Sequence, residues 1–448
     1  VPDWTARLTH LAAKYDVPGA VLGVWADGEQ TIAPYGVLNR RTGVETTADS
    51  VFQLGSVTKP WTATMIVQLA AEGRLALDDA VVKLLPEASI DPRITVRQLL
   101  SHTSGIDGDV FTDTGRGDDC VERYVALLAD VPQLFEPGTA YSYCNAGFVV
   151  LGRIIEVLDG RTWDESLRAR LVEPLGLTAT MTLPEEAILH RAAVGHLGSD
   201  GSVVSTWQLP RSLGPAGLIT ATAEDLLKFA QPHLDQYAEM REPQVDYPGG
   251  SGGVAEIGLA WRLYDWEGRR LFGHDGATIS QLAFLRIDPE ARIAFCLLTN
   301  SGKAPALFEE LATEVFSSHT GVGVPPGPEP AAPTGAAEAG AAEAGAPEGG
   351  ATEAGAGFGG RHLGRYARES VAMEVLRRDG KLILTYQATG DRLAFAEEPM
   401  QEFELLPTEP LDGDHFVLRD SDDQPWTPVT FRPTYLFTSG RVTPRVQG

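Results

Sequence analysis

Cysteine is scarce in this chain. Three residues in 448 (Cys120, Cys144 and Cys296) are too few and too scattered for a disulfide framework or a cysteine zinc site. The nine histidines include no H-E-x-x-H pair, so no metal or other cofactor is expected. Positive charge is also short: 36 Lys and Arg face 61 Asp and Glu, a formal net charge of -25. Phosphate binding needs a basic face, so a nucleic-acid partner is excluded, and docking on an anionic membrane surface is disfavoured. No uncharged apolar run reaches the roughly 18 residues that span a bilayer. The opening Val-Pro-Asp-Trp has neither a signal-peptide pattern nor an initiator Met. A cytoplasmic place is expected, with secretion the alternative if a leader has been trimmed.

What is present describes a globular protein. Hydrophobic residues make up 43% and charged residues 22% of a length that allows two or three domains. From residue 323 to 360 the composition collapses to Gly, Ala, Pro and Glu, with Gly335, Gly340, Gly345 and Gly350 opening similar five-residue units. Its glutamates repel and it has almost nothing to bury, so it reads as a flexible linker. The expected organisation is therefore a domain over 1–322, the linker, and a second domain over 361–448.

The first domain mixes helices and strands. Helical spacing covers 4–14, 58–71, 96–100, 120–128, 146–158, 223–230 and 305–316. Strand patterns lie near its two ends, at 20–26, 30–35, 259–266, 279–287 and 291–299. An α+β fold follows: one antiparallel sheet built from both ends, with a helical insert. The second domain is nearly all short strands and opens with a hairpin around Asp379-Gly380, so it reads as a small all-β barrel or sandwich.

Chemistry concentrates in three places. In Gly55-Ser56-Val57-Thr58-Lys59, Ser56 and Lys59 are spaced to share one face of a helix start. A serine needs a base within hydrogen-bond reach, and a lysine becomes one when burial or a neighbouring charge lowers its pKa. The positive end of a helix disfavours the ammonium and favours a developing oxyanion. Taken alone, S-x-x-K is common, and a helix-capping serine beside a solvated lysine explains most matches. Here Tyr143-Cys144-Asn145 and His274-Asp275-Gly276-Ala277 follow it in order.

With these three elements, and with Leu99-Leu100-Ser101-His102-Thr103-Ser104-Gly105 and Gly217-Leu218-Ile219-Thr220, residues 5–320 resemble the serine β-lactamase and penicillin-binding-protein superfamily, nearest its class C β-lactamase-like branch. That branch includes DD-carboxypeptidases, D-peptidases, esterases and peptide-cyclising thioesterases. The resemblance implies that Ser56 forms an acyl-enzyme and Lys59 takes or relays its proton. Tyr143 protonates the leaving group and activates the acceptor. Asn145 orients the substrate amide and Lys59, and His274 completes the polar network. Gly276 and Ala277 border the oxyanion hole, whose donors are the amides of Ser56 and Ala277. The substrate implied is a peptide, amide or (thio)ester, with a carrier protein as a candidate for delivering the acyl group. Residues 361–448 match the lipocalin-like barrel that some peptide-cyclising members carry.

The departures bear on substrate. Efficient β-lactam hydrolysis in the family goes with Lys-Thr-Gly where this chain has His274-Asp275-Gly276, so a β-lactamase is the alternative reading. A silent binding or sensor module is the second alternative, weighed against by the survival of Ser56, Lys59 and Tyr143. Gly249-Gly250-Ser251-Gly252-Gly253 matches G-x-S-x-G but lacks the strand–turn–helix setting of a nucleophile elbow, so it reads as a loop at the cleft mouth. His102 is expected to hold its loop by hydrogen bonds, and Cys144 to turn away from the site.

Overall fold

A computed structural model describes residues 3–250, 252–331, 360–396, 398–422 and 424–446. Within the first 320 residues, nine antiparallel strands form one sheet. Its order across the sheet is 44–45, 29–39, 19–26, 293–299, 282–288, 269–277, 262–266, 254–257 and 245–246. The first hairpin thus pairs with strands more than 200 residues later, Gly23 lying opposite Cys296. The helical insert lies between the first hairpin and the strand Val245–Asp246, and holds a small second sheet of Phe52–Gln53, Thr220–Ala221 and Thr180–Met181. The sheet is two-sided: Leu22, Phe295 and Leu297 pack with the helices Trp4–Lys14 and Pro305–Thr320 on one face. On the other face Val21, Leu285 and Leu298 join the core of the insert. This alternation is the period of two that a strand imposes.

The insert is organised around the helix Thr58–Ala71. Eleven of its residues are buried, Lys59 among them, so it is apolar all round and runs through the middle of the domain. The helix Asn145–Asp159 packs beside it and ends on Gly160 in the left-handed conformation. Two expected strands begin later than their apolar runs. The strand anticipated from Leu259 starts at Arg262, because Leu259 and Ala260 donate to Met240 and Leu100 in the insert and Ala260 has φ +63°. The strand anticipated from Ile279 starts at Leu282, after Ser280 at φ +54°.

Residues 364–446 form a second antiparallel sheet of nine strands. Its two outermost strands, Met400–Glu404 and Leu406–Pro407, follow one another in the chain, so the sheet curls into a nearly closed barrel. Tyr366, Val375, Leu384, Phe416 and Phe431 fill it. The expected linker lies outside the described residues from 332 to 359. Its described start is held at both sides: Val324 donates to Thr313, Ala331 donates to Pro407, and Glu329 accepts from Thr408. Among the described residues no helix is long and apolar enough to cross a membrane.

The barrel lies against the insert. Tyr143 donates its backbone N–H to the Gly440 carbonyl at 2.9 Å, and Val442 donates to Ser142 Oγ at 3.2 Å. Phe437 and Val442 share a buried cluster with Tyr141 and Tyr143.

Candidate active site

The short strand Phe52–Gln53 runs into a 3-10 turn, Gly55–Val57, which continues as the helix Thr58–Ala71. Ser56 therefore sits on a tight turn just ahead of the α-helix, and Lys59 in the helix's first turn. In a 3-10 turn, side chains three apart eclipse, which brings the two together. Lys59 Nζ lies 3.0 Å from Ser56 Oγ and donates to the Ala216 carbonyl at 2.7 Å. It also lies 4.8 Å from the centre of the Tyr143 ring and 5.6 Å from that of Phe148. Lys59 has no exposed surface. Burial first, and then the Arg441 charge, hold its amine well below the usual lysine range. An amine whose pKa is lowered can serve as a base for a neighbouring serine hydroxyl.

Gly55 has φ +51°, where a side chain would be strained. A Cβ there would meet the backbone nitrogen of Ala277 at 2.7 Å, and one on Gly276 would meet the nitrogen of Ser56 at 2.9 Å. The two glycines thus let the turn and the end of the strand Arg269–Ala277 touch backbone to backbone. That contact sets the amides of Ser56 and Ala277 beside one another.

His274 is on the same strand, two residues from Gly276 and so on the same face. Its Nδ1 lies 2.6 Å from the Asp275 carbonyl. A carbonyl only accepts, so Nδ1 carries the proton and Nε2 is the free acceptor. Burial, and then the Arg262 charge, hold this ring well below the usual histidine range. Tyr143, 6.1 Å from His274 between ring centres, is buried. Burial pushes its phenol up to about 12, while the nearby Ser56 hydroxyl pulls the other way. The phenol oxygen is buried and makes no hydrogen bond of normal geometry.

His102 stacks on the other face of Tyr143, at 4.3 Å, and its Nδ1 accepts from the Cys144 amide at 3.0 Å. It holds the loop that presents Tyr143. Cys144 caps the helix Asn145–Asp159 through its sulfur, which accepts from Gly147, and so does not face the cleft. Asn145 lines the cleft, but its amide nitrogen donates to Asp109 at 2.8 Å, not to a group of the Ser56–Lys59 pair. Ser251 lies outside the described residues, and the glycines around it form the turn between Val245–Asp246 and Val254–Ile257.

Ser56, Tyr143, Asn145, Gly276 and Ala277 open into one cavity of about 590 Å³. Its other wall belongs to the barrel, through Tyr386, Arg392, Phe395, Gly440 and Arg441. The three arginines in the lining, Arg262, Arg392 and Arg441, had no signal in the sequence. Arg262 pairs with Asp275 at 2.6 Å, and Arg286 takes that carboxylate's other oxygen at 2.6 Å. Asp109 was also missed, although two acids flanking a glycine in Asp107-Gly108-Asp109 are an unusual run. Gly108 is required there, because a Cβ would lie 2.4 Å from Cys144 Cα.

Comparison with known proteins agrees with this geometry. The Beta-lactamase family model matches residues 4–320. Penicillin-binding protein 4 of Amycolatopsis lactamdurans is 44% identical over 346 residues, covering 72% of this chain and 91% of that relative. A D-aminopeptidase of Brucella anthropi is 30% identical over 294 residues, covering 61% of this chain and 54% of that relative. The crystal structure of SurE, also solved with D-Leu, is 28% identical, with a TM-score of 0.74 over 99% of this chain and 98% of its own. The chain belongs to the Beta-lactamase family, as a serine hydrolase and acyltransferase of the S-x-x-K type.

Proposed function

We propose that this protein transfers an acyl group from a peptide, amide or thioester bearing a D-residue, first onto Ser56 and then onto an amine, with water as the competing acceptor. The observation that carries the reading is the buried Lys59 amine 3.0 Å from Ser56 Oγ, with Ser56 opening into a cavity walled by both parts of the chain. Ser56 Oγ attacks the donor carbonyl and passes its proton to Lys59 Nζ. The oxyanion is received by the Ser56 and Ala277 amides, an arrangement in which each donor contributes about 10²–10³ in rate. Tyr143 delivers a proton to the leaving group and takes one from the acceptor in the return step, when the bond from Ser56 Oγ to the acyl carbon breaks and Lys59 returns its proton to that oxygen. His274 Nε2 supports this exchange from the facing strand.

D-configuration is supported by the D-aminopeptidase relative and by the D-Leu in the SurE structure. An amine acceptor is supported by the cavity itself: the barrel roofs it, and about 590 Å³ holds more than an acyl chain and one water. Three arginines against Asp275 and Glu398 give the lining a surplus of positive charge in an otherwise acidic protein, which suits a substrate with a free carboxylate. We read residues 1–322 as the acylating domain, 323–360 as a linker and 361–448 as a lipocalin-like domain that shapes the acceptor side. A carrier protein remains our candidate for bringing a thioester donor.

Product analysis tests the proposal. The protein is incubated with a linear peptide thioester carrying a D-residue, with and without added amino acids. Cyclic or aminolysed product is expected beside free acid. Free acid alone, with every amine inert, overturns the amine-transfer reading and leaves a D-peptidase or esterase.

A further inference from the structure

The Asp109 carboxylate, 1% exposed, joins the barrel to the catalytic machinery. Asn145 Nδ2 donates to its Oδ1 at 2.8 Å. Arg441 also donates to Oδ1, at 3.1 Å, and its Nε lies 2.6 Å from Oδ2. Arg368 donates to Oδ2 at 2.7 Å, and Arg392 lies 3.9 Å away. The three guanidiniums come from the barrel and the amide from the helix that follows Tyr143. Two residues earlier, Asp107 accepts from the Glu369 backbone N–H at 2.7 Å, a second tie between the same loop and the barrel.

A carboxylate only accepts, so this arrangement decides which way the Asn145 amide points. Its NH₂ must face Asp109, and its oxygen is the end left to the cavity. The same carboxylate places the Arg441 guanidinium 4.8 Å from the Tyr143 ring centre, on the phenol that closes the Ser56 site. Burial alone would push the Asp109 carboxyl up, but Arg441 and Arg368 outweigh it and hold it below the usual range. It is therefore a permanent charge at neutral pH.

We propose that Asp109 is a positioning residue for acyl transfer: by fixing the Asn145 amide and seating Arg441 over Tyr143, it makes docking of the barrel and alignment of the Ser56 site one event. The inference rests on Ser56 being the nucleophile. A plain inter-domain ion pair would anchor the barrel without affecting the reaction.

The test uses the full chain and a serine-reactive fluorophosphonate, whose labelling of Ser56 is followed by mass. Asp109→Asn is expected to lower the maximal labelling rate by about 10²-fold, the cost of roughly 1 Å of misplacement. The concentration for half-maximal rate should hardly change. Adding Asn145→Ala to Asp109→Asn should slow labelling no further, because the two act in series. Arg378→Gln, which removes an exposed ion pair with Glu402 inside the barrel, should label within about twofold of the unaltered protein.

Wild-type labelling by Asp109→Asn overturns the inference. So does a loss confined to half-saturation, or additive losses in the double variant. If Asp109→Asn does not fold, Asp109→Glu keeps the charge but displaces it by one methylene; slower labelling is expected there too, and an unchanged rate overturns the inference. Failure of the unaltered protein to label at Ser56 is a different result, and counts against the nucleophile itself.

Discussion

Gly276→Ala is the sharpest probe of the oxyanion geometry. A Cβ at this position would lie 1.9 Å from the Leu54 carbonyl oxygen and 2.9 Å from both the Leu54 carbon and the Ser56 nitrogen. An unstrained carbon–oxygen contact needs about 3.3 Å, so strand and turn must part by about 1.4 Å. All three obstructing atoms are backbone, and no rotamer change relieves the clash. The parting separates the Ala277 amide from the Ser56 turn. A shift of that size costs about 10²-fold, and full loss of one oxyanion donor costs about 10²–10³-fold, or about 2.7–4 kcal/mol. We therefore expect fluorophosphonate labelling of Ser56 to slow by two to three orders of magnitude while the far-ultraviolet circular dichroism is retained. Gly302→Ala is the control, since a Cβ there meets nothing within 4 Å. If Gly276→Ala labels as fast as Gly302→Ala, the two amides are not a working pair and the reasoning fails.

Ser56→Ala should abolish labelling and turnover while leaving the melting temperature near that of the parent; residual covalent adduct elsewhere in the chain would point to another nucleophile. Lys59→Met should cut the labelling rate by about 10²–10⁴-fold, the usual contribution of a positioned base. Lys59 acts as a base only as the neutral amine, and its pKa is held well below the usual lysine value, so the rate should reach its plateau below the pH at which a free lysine loses its proton and fall as acid protonates the amine. A rate that climbs tenfold per pH unit up to pH 10 contradicts this. Asp109 has the opposite sense: its folded pKa is lowered, so its stabilisation is whole above its unfolded value of about 3.9 and is lost as pH falls through the folded value. The gap in melting temperature between the parent and Asp109→Asn should accordingly stay constant from pH 7 to about pH 4 and narrow only below it; a gap that already closes above pH 4, or never narrows in acid, contradicts it.

Local pattern made much of this molecule legible. Apolar periodicity marks the helices Trp4–Lys14, Thr58–Ala71, Val96–Leu100 and Ala223–Ala230 to the residue, and the hairpin signal at Asp379-Gly380 joins two strands as read. The strand Arg269–Ala277 was not evident as an element, because Gly273, Gly276 and the charges at 269, 270 and 275 dilute its apolar alternation. The terminal strand Arg441–Val446 was hidden by Pro444 and its arginines. Ser56, Lys59, Tyr143, Asn145 and His274 were singled out from short motifs; Ser56, Tyr143 and Asn145 line one cavity, and Lys59 and His274 are buried beside them. Asp109 and its partners were not. Arg368 lies 259 positions from it and Arg441 lies 332, so their pairing is a property of how two bodies dock and leaves no mark on either local sequence.

The bond between Ser142 and Val442 spans 300 positions of the chain. During synthesis Ser56 and Lys59 therefore emerge well before the strand that seats Tyr143. Until that strand is made, no barrel guanidinium stands opposite Asp109, and the Tyr143 ring lacks Arg441 against it. Any acyl group captured at that stage would have water as its nearest acceptor. Selective chemistry begins only when the late strand clasps the loop laid down long before it.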